Sequence, residues 1–413
     1  MRQTKFFLKT VKESPADETA LNARLLIRAG YIDKLMAGAY SYLPLGLKVL
    51  EKIKNVVREE MNRIDAQEIL MPALQPKSLW DETGRWEEMK DIMFQFKGRG
   101  GSDLGQGATH EEPIFDIMRR RLKSYKDLPV AVYQIQDKFR NEPRAKSGLL
   151  RGREFSMKDL YSFHATRDDM LAYYDRVKLS YLTIFERLGL NAIAVEASGG
   201  AFSEDYSHEF QVLTPNGEDI IFHCDCGWAQ NKEIAKVKEG DKCPSCGAEK
   251  IRADKGVEVG NIFKLEQKYS AAMKLSVTDQ NGKLTPVYMG CYGLGPSRLM
   301  GTLVEIHHDD SGIVWPDSVA PFKAHLLLLS QSTVTKEIAD NAYAELQKSG
   351  VEVLYDDRPE SPGAKLTEAD LVGLPVRIIV SDKNNGLLEY KRRSSAEIKK
   401  IAIKDLVSEI NKI

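Results

Sequence analysis

Apolar residues recur at spacings of three and four positions in two long stretches, which predicts an amphipathic helix in each. The first stretch, 46–64, carries Leu47, Leu50, Ile53, Val56, Val57, Met61 and Ile64. The second, 168–188, carries Met170, Leu171, Tyr174, Val177, Leu182 and Phe185. We expect these residues to form the buried side of each helix.

Two further segments have the composition and alternation of strands. Segment 130–140 is rich in β-branched and aromatic residues, and apolar positions alternate with polar ones in 153–163. The polar, basic stretch 143–152 separates them, which predicts an antiparallel hairpin with a long loop. A shorter apolar strand is predicted at 67–74, where Pro72 favours an edge or an interface.

The last third of the chain alternates between strand and helix patterns. A strand at 287–291, a turn at 293–296 and a helix at 297–306 precede a segment, 314–321, whose two prolines indicate a linker. The following strands are predicted at 324–329, 351–355, 376–380 and 387–390, and the helices between them at 335–348 and 364–371. This βαβαβ order predicts an independent α/β domain of about 90 residues.

Composition narrows the class of protein. The 413 residues are 42% hydrophobic, which excludes a disordered chain, and five cysteines are too few for a disulfide-dense secreted scaffold. Apolar runs reach about six residues, far short of the roughly 18 that span a membrane. Acidic residues follow the basic N-terminus at once, which argues against a targeting peptide, so we expect cytoplasmic residence and no membrane partner.

The predicted hairpin concentrates positive charge, although the whole chain has a net charge of −1. Arg140 and Glu142 share one strand face, so that a guanidinium suited to phosphate lies near a carboxylate that can accept from an amino group. The alternative is a solvated hairpin whose opposite charges pair loosely. The cations between 138 and 154 are Lys138, Arg140, Arg144, Lys146, Arg151 and Arg153, against Glu142 and Glu154.

Two other segments could line a pocket. In 290–298, glycines and a helix start would let backbone N–H groups approach an anion, but the pattern is neither a P-loop nor a dinucleotide fingerprint, and an ordinary strand–turn–helix corner is the alternative. In 109–113, Thr109 and Glu111 could hold a cationic amine or could simply cap the following helix.

Four cysteines fall within a short segment rich in lysine, glutamate and glycine. Cys224 and Cys226 precede a spacer, and Cys243 and Cys246 follow it, which suits a tetrahedral Zn²⁺ site. The first pair is closer together than usual, and His223 could replace one thiol; free cysteines in a surface insertion are the alternative. Basic runs at 119–123 and 391–393 are either solvated charges or contacts to an RNA backbone.

Together these motifs resemble, in order and spacing, the class II aminoacyl-tRNA synthetases, and closely the bacterial-type prolyl-tRNA synthetase family. Pro72 matches motif 1, segments 139–142 and 151–155 match motif 2, and 293–298 matches motif 3. Segments 109–112, 207–210 and 258–263 are also similar to stretches of the prolyl enzymes. The resemblance covers roughly 1–220 and 257–413.

The resemblance implies an α/β fold in two parts: an α+β catalytic domain with a mainly antiparallel sheet, and a C-terminal βαβαβ anticodon-binding domain. We assign 1–220 and 257–318 to the catalytic domain, 221–256 to a short cysteine-containing insertion, and 321–413 to the anticodon-binding domain. The family commonly inserts an editing domain of well over a hundred residues between motifs 2 and 3. About 26 residues join Asn231 to Glu258, so we expect no editing in cis.

The implied activity is that of a homodimeric proline–tRNA ligase, which uses ATP and Mg²⁺ to form prolyl-adenylate from L-proline and then charges tRNA(Pro). A class IIa synthetase for another small amino acid is an alternative. So is a catalytically silent paralogue that binds RNA, although the intact Arg140, Glu142 and Arg298 argue against it.

The resemblance also implies a role for each matching residue. Arg140 would bind the α-phosphate and the proline carboxylate, and with Arg298 it forms the expected catalytic pair. Glu142 would accept from the adenine amino group. Thr109 and Glu111 would receive the imino group of proline. The expected ATP-binding set is Arg140, Glu142, Arg151, Phe155 (stacking on the base), Ser297 and Arg298, and the proline-binding set is Thr109, Glu111, Arg140 and His208, which closes the pocket. Outside the resemblance, the cysteine spacing gives the expected zinc ligands Cys224, Cys226, Cys243 and Cys246.

Overall fold

The computed structural model describes residues 1–145, 147–200, 206–248 and 250–412; Lys146 of the hairpin loop lies outside them. The helices are α1 (Leu21–Arg28), α2 (Pro44–Arg63), α3 (Lys77–Thr83), α4 (Arg85–Glu88), α5 (Glu111–Arg121), α6 (Arg167–Arg187), α7 (Lys268–Ala272), α8 (Pro296–Ile306), α9 (Thr333–Lys348), α10 (Pro362–Val372) and α11 (Ile403–Ile410). No helix in these ranges is both long and apolar enough to cross a bilayer.

The strands of the first three quarters of the chain are β1 (Ile32–Met36), β2 (Ala39–Tyr42), β3 (Gln67–Glu68), β4 (Leu74–Pro76), β5 (Gln95–Lys97), β6 (Asp103–Gln106), β7 (Val130–Phe139), β8 (Glu154–His164), β9 (Ala192–Ala197), β10 (Ser207–Leu213), β11 (Asp219–His223), β12 (Ala229–Asn231), β13 (Arg252–Glu266), β14 (Ser276–Thr278), β15 (Leu284–Pro286), β16 (Tyr288–Leu294), β17 (His308–Asp309) and β18 (Gly312–Ile313). The C-terminal strands are β19 (Ala324–Leu328), β20 (Val353–Asp356), β21 (Val376–Val380), β22 (Leu388–Arg392) and β23 (Ile398–Ile401).

A nine-stranded sheet with the order β10-β9-β12-β11-β13-β16-β8-β7-β3 forms the centre of the part of the chain that precedes β19. Its pairings are antiparallel except β12 with β9 and β3 with β7. The predicted hairpin is confirmed, because β7 and β8 pair antiparallel from Val130 opposite Phe163 to Phe139 opposite Glu154. The mainly antiparallel sheet agrees with the expected fold class. β11 and β13 belong to this sheet, so the cysteine-bearing segment projects from the nine-stranded sheet itself.

The two faces of this sheet are buried against different elements. Helices α2, α6 and α8 cover one face, and α5 and α7 cover the other. The periodicity of α2 predicted its buried side correctly from Leu50 onward, but Leu47 is 49% exposed. Each fully buried aliphatic side chain contributes about 1.5–3 kcal/mol relative to an exposed one, so these two interfaces carry much of the stability.

The single strand predicted at 67–74 is wrong. The structure has a two-residue strand, β3, at the edge of the large sheet, and a separate strand, β4, in the small sheet β4-β6-β5. Pro72 lies between them and cannot donate to a ladder, which explains the break. The peptide groups around it are held by side chains instead: Gln134 accepts from the Met71 N–H group at 3.0 Å.

The C-terminal part has the predicted βαβαβ core and extends it. Its sheet has the order β20-β19-β21-β22-β23, in which β20, β19 and β21 are parallel and the last two strands are added antiparallel. The sequence prediction missed β23 and α11. The sequence of β23 is Ile-Lys-Lys-Ile, so an edge strand with lysines lacks the apolar alternation that the prediction used.

The segment predicted as a linker, 314–321, is packed rather than extended. Trp315 is buried, and its indole N–H donates to the Tyr31 hydroxyl at 2.7 Å. The same hydroxyl donates to the Val372 carbonyl at 2.8 Å, which joins the segment between α1 and β1 to α10. At the chain start, the Met1 carbonyl accepts from the Tyr355 N–H group at 2.9 Å. The C-terminal domain is therefore attached through specific contacts at two places.

We expect Tyr31→Phe to lower the free energy of unfolding by about 2 kcal/mol, because it leaves the Trp315 N–H group and the Val372 carbonyl buried without their partner. Urea denaturation followed by tryptophan fluorescence measures the change. Tyr125→Phe removes a hydroxyl at an exposed position and should change stability by less than about 0.5 kcal/mol. Equal effects of the two substitutions would contradict this role of Tyr31.

Candidate active site

A polar cavity of about 290 Å³ opens where the β7–β8 hairpin faces β13 and the start of α8. β16 lies between β8 and β13 in the sheet, and α8 begins two residues after β16 ends, so the first turn of α8 emerges between the two strands. The cavity is lined by Arg140, Glu142, Leu149, Leu150, Arg151, Gly152, Phe155, Glu218, Asp219, Gly256, Val257, Glu258 and Arg298. The structure thus brings five of the six predicted ATP-binding residues to one cavity.

Arg140 follows the last residue of β7 and is held in place by its neighbours. Its Nε–H group donates to the Ala108 carbonyl at 3.3 Å, and its guanidinium lies 5.2 Å from the centre of the Phe155 ring. Burial and the nearby Arg298 lower the pKa of Arg140, while the guanidinium remains a cation at any physiological pH. Two cations are therefore kept close together, and no carboxylate of the described residues forms an ion pair with Arg140, an arrangement that favours a bound anion.

Glu142 is fixed by the arginines of the hairpin. Arg151 donates to both of its carboxylate oxygens, from Nε at 2.8 Å and from Nη2 at 3.0 Å. These hydrogen bonds lower the pKa of Glu142, so the group is a carboxylate at neutral pH. Arg153 donates to the Glu142 carbonyl at 3.0 Å and to the Ala37 carbonyl at 3.1 Å, which ties the loop to the β1–β2 turn. Pairing of the hairpin charges is thus specific rather than loose.

Arg298 and Ser297 begin α8, but they face different ways. Arg298 donates from Nη1 to the Glu258 carbonyl at 2.8 Å and faces the cavity. Ser297 is buried, and its hydroxyl accepts from the Ser156 N–H group at 3.1 Å. Ser297 therefore fastens α8 to β8 and is not among the residues that line the cavity.

Gly293 and the residue opposite it on β13 orient an acidic side chain of the cavity. A Cβ atom at Gly293 would lie 2.7 Å from Asn261 Oδ1, so only glycine leaves room for that amide. Asn261 donates from Nδ2 to Glu258 Oε1 at 2.8 Å. The glycine of the 290–298 segment thus serves the packing of the acidic wall, in addition to the turn into α8.

Next to Arg140, the Thr109–Glu111 segment forms a second, more deeply buried site. The Thr109 hydroxyl donates to Glu111, with 2.7 and 2.9 Å to the two carboxylate oxygens. Arg85 Nη1 lies 3.3 Å from Glu111 Oε2, and Cys291 Sγ lies 3.5 Å from Glu111 Oε1. Thr109 does not cap α5, whose first turn has no side-chain cap, so the capping alternative is wrong. The arrangement presents a buried carboxylate beside a buried hydroxyl.

His208 does not join this second site. It shares a face of β10 with Phe210, which packs against Tyr181 of α6, and its Nδ1 lies 2.8 Å from the Tyr174 hydroxyl of the same helix. Burial lowers the pKa of His208 to about 4, so its ring is neutral near pH 7. Glu111 contacts Cys291, whose core cluster includes Phe115 on the opposite face of the sheet. Two of the predicted proline-binding residues, Glu111 and His208, therefore lie on opposite faces of the nine-stranded sheet.

The four predicted metal ligands meet beyond the β11–β12 hairpin. All four sulfur atoms lie within 4.8 Å of one another, with 3.6 Å between Cys226 and Cys243 and 3.9 Å between Cys224 and Cys246. Four thiolates around Zn²⁺ at about 2.3 Å would be about 3.8 Å apart, so the geometry fits a tetrahedral site. His223 is hydrogen-bonded to Asp254 at 2.8 Å and stands outside the cluster.

Each half of this cluster ends in a glycine for a conformational reason. Gly227 and Gly247 have φ values of 92° and 72°, in the left-handed region that glycine adopts without strain. The Gly227 N–H group donates to the Cys224 carbonyl at 3.0 Å, and the Gly247 N–H group donates to the Cys243 carbonyl at 2.8 Å. The two tight turns direct the thiols toward a common centre.

Two residues of the site had no signal in the sequence. Arg85 and Asp219 reach it through contacts between segments that are distant in the chain, and no local pattern marks them. The basic runs are partly engaged in the fold: Arg119 pairs with Glu82, Arg392 with Asp317 and Arg393 with Asp309. These ion pairs favour a structural role for Arg392 and Arg393 between the two parts of the chain.

Two family models match separate parts of the chain. A family model described as the tRNA synthetase class II core domain (G, H, P, S and T) matches residues 94–307, and an anticodon binding domain matches 319–413. The chain is 41% identical to the proline–tRNA ligase of Wolbachia sp. subsp. Drosophila simulans (strain wRi), over 99% of each chain. It is also 41% identical to that of Anaplasma phagocytophilum (strain HZ), over the full length of both.

A longer relative is informative about length. The proline–tRNA ligase of Geotalea daltonii is 33% identical, and the alignment covers 99% of this chain and 98% of that protein. It runs over 561 positions, although this chain has 413 residues, so that relative carries additional residues that this chain lacks.

Solved structures show the same fold. The prolyl-tRNA synthetase of Cryptosporidium parvum, complexed with halofuginone and AMPPNP, has a TM-score of 0.79 at 20% identity, covering 95% of this chain and 76% of that chain. That of Giardia lamblia, in complex with prolyl-adenylate, has a TM-score of 0.78 at 20% identity, covering 94% and 77%. From its class II core, its anticodon binding domain and its full-length relatives, we conclude that the chain belongs to the proline–tRNA ligase family of class II tRNA synthetases.

Proposed function

We propose that the chain is a proline–tRNA ligase, which activates L-proline with ATP and transfers the prolyl group to the 3′ end of tRNA(Pro). The observation that carries the proposal is the junction of two sites: a cavity with two arginines and, beside Arg140, a buried carboxylate at Glu111. ATP supplies the anion that the first site requires. Proline supplies both the cation for the second site and a carboxylate that reaches back toward Arg140.

For ATP, the cavity offers a complementary group at each part of the molecule. Phe155 presents an aromatic face for the adenine, and the Glu142 carboxylate can accept from the exocyclic amino group. Arg140 would bind the α-phosphate, and Arg298 and Arg151 the outer phosphates and the far face of the base. Ser297 would act indirectly, because its hydroxyl holds α8 and hence Arg298 in register with β8.

For the amino acid, Thr109 and Glu111 would receive the imino group, and Arg140 would bind the carboxylate. The Glu111 carboxylate is buried, so its attraction to a cation is much stronger than at an exposed position. His208 would support this region only through Tyr174 and α6, since its side chain points to that face of the sheet.

The reaction needs no nucleophile from the protein. The proline carboxylate attacks the α-phosphorus in line and pyrophosphate leaves; a terminal ribose hydroxyl of tRNA then attacks the activated carbonyl and AMP leaves. Arg140 would hold both reacting groups and neutralise the charge that develops on the α-phosphate, and Arg298 would act on the leaving pyrophosphate. Both guanidiniums are already oriented by protein hydrogen bonds, so little reorganisation is required.

Mg²⁺ fits the acidic wall of the same cavity. Glu258 and Asp219 both line it, with Glu258 Oε2 3.4 Å from Arg298 Nη1, and Mg²⁺ is commonly bound by one or two carboxylates together with phosphate oxygens and water. When bound there, the ion would neutralise phosphate charge. Glu258 is oriented for this by Asn261, as described above.

Zn²⁺ is proposed for the four cysteines, as a structural ion. The cluster lies beyond the hairpin that begins at the cavity residue Asp219, so the ion would order the insertion at 221–256 rather than take part in catalysis. We keep the proposed division of the chain into a catalytic domain (1–220 and 257–318), this insertion and an anticodon-binding domain (321–413). The insertion is too short for an editing domain, and we expect no editing in cis.

The remaining parts of the proposal concern assembly and location. β3 lies at the edge of the large sheet, and Leu70 and Leu74 are exposed after it, on either side of Pro72. This exposed apolar surface fits a homodimer interface. The anticodon-binding domain would contact tRNA(Pro). We place the enzyme in the cytoplasm, where its substrates are used in protein synthesis.

We expect ATP–pyrophosphate exchange that depends on L-proline and not on other small amino acids. Arg140→Ala should reduce the exchange rate by about 100-fold to 1,000-fold, because it removes the group that holds both substrates. The matched control is Arg99→Ala, at an exposed arginine of the turn between β5 and β6, which should retain the wild-type rate. Exchange with another amino acid would favour a different synthetase, and unchanged exchange by Arg140→Ala would refute the assigned site.

We expect about one equivalent of zinc per chain in protein purified without chelator, measured by plasma mass spectrometry. Cys243→Ser should lose the metal, because three thiolates bind Zn²⁺ far more weakly than four. Cys291→Ser is the control, since that thiol lies beside Glu111 and outside the cluster, and it should retain zinc. Less than half an equivalent in the wild-type protein would reject the zinc proposal.

A further inference from the structure

Two adjacent carboxylates at the start of α5 share one arginine. Glu111 and Glu112 are 1% and 0% exposed. Arg85 Nη1 lies 3.3 Å from Glu111 Oε2 and 2.8 Å from Glu112 Oε1. The Arg85 guanidinium itself is buried near the rings of Trp80 and Tyr269, at 5.2 and 5.4 Å from their centres. With both carboxylates ionised, this group of three charges carries a net charge of −1.

Among the described residues, only one carboxylate oxygen of Glu112 has hydrogen-bond partners. Its Oε1 accepts from the Thr83 hydroxyl at 2.8 Å as well as from Arg85, whereas its Oε2 is buried without a hydrogen-bond partner among the described residues. Burial and the charge of Glu111 raise the pKa of Glu112 to about 7, and Arg85 opposes this rise. The charged or titratable groups that face it are Arg85 of α4, Glu111 of α5 and Tyr269 of α7, and the pKa of Tyr269 is raised far above neutrality by burial.

We propose that Glu112 is a positioning residue whose ionisation is coupled to the amino-acid pocket, so that binding of the proline cation at Glu111 expels a proton from Glu112 to solvent. The inference rests on the proposed function, because it takes the ligand of Glu111 to be the imino cation of proline. The coupling runs through Arg85: a ligand cation at Glu111 competes for that carboxylate, and Arg85 is then available to pair fully with ionised Glu112.

The sign of the pH effect follows from the charges. At low pH, protonated Glu112 leaves Arg85 paired with Glu111, and the pocket has no excess negative charge for the ligand. At high pH, both carboxylates are ionised and the pocket attracts a cation. With a pKa of about 7, the affinity for proline should fall about tenfold for each pH unit below that value and should level off above it.

Calorimetric titration of the full-length chain with L-proline, in two buffers of different ionisation enthalpy near pH 7, measures the protons released. We expect about half a proton per proline for the wild-type protein, since Glu112 is then about half protonated. Glu112→Gln keeps the size of the side chain and should release no proton, and its proline affinity should not vary between about pH 6 and 8. Glu88→Gln, at an exposed glutamate of α4, should behave as the wild-type protein.

Glu112→Asp guards against a merely structural effect, because it keeps an ionisable group at this position and should restore part of the proton release. Proline binding without proton release in the wild-type protein would overturn the coupling while leaving the proposed function intact. Proton release that persists in Glu112→Gln would assign it to another group and would also overturn the inference. If L-proline neither binds nor supports exchange, the proposed function fails first, and this inference fails with it.

Discussion

The pairing of β7 with β8 is the constraint on which the site depends. Lys138 and Asp159, both buried, join the two strands with 2.7 Å between Nζ and Oδ1. Gln134 and Tyr161 donate to the other carboxylate oxygen at 2.9 and 3.0 Å. A shift of one residue in this register would turn every side chain of a strand to the opposite face and would leave a buried charge without its partner, at a cost of several kcal/mol. The register therefore places the residues at the loop end of the hairpin with little freedom.

From that register the rest of the cavity follows. Arg140 emerges where β7 ends, and Phe155 is the second residue of β8, so cation and aromatic ring face each other across the hairpin. β16 pairs with the other edge of β8 and delivers α8, and with it Arg298, to the same place. Arg140 and Arg298 are held by hydrogen bonds to the carbonyls of Ala108 and Glu258, and Glu142 is held by Arg151. This is the preorganised electrostatics that a displacement at phosphorus requires.

The cysteine-bearing segment is attached to the same sheet at both of its ends. β11 and β13 are strands of the catalytic sheet, and the segment between them leaves and rejoins it within a short distance. A segment of that length cannot bury enough apolar surface to fold alone. Four cysteines on two tight turns would let a bound metal ion stabilise this short segment in place of an apolar core.

Local pattern determined much of this protein. The helical periodicity of α2 and α6, the β7–β8 hairpin, the C-terminal βαβαβ core, Arg140, Glu142 and the clustering of four cysteines were all predictable, because each depends on residues close together in the chain. Tertiary structure alone decided what distant segments do to one another. The tertiary structure breaks the predicted strand at Pro72 and buries Trp315 where a linker was expected. It turns His208 to the α6 face of the sheet and Ser297 away from the cavity. It also pairs Arg85 with both Glu111 and Glu112. The physical reason is that spacing specifies which face of its own element a side chain occupies, whereas its partner depends on how the elements stack, which no local pattern records.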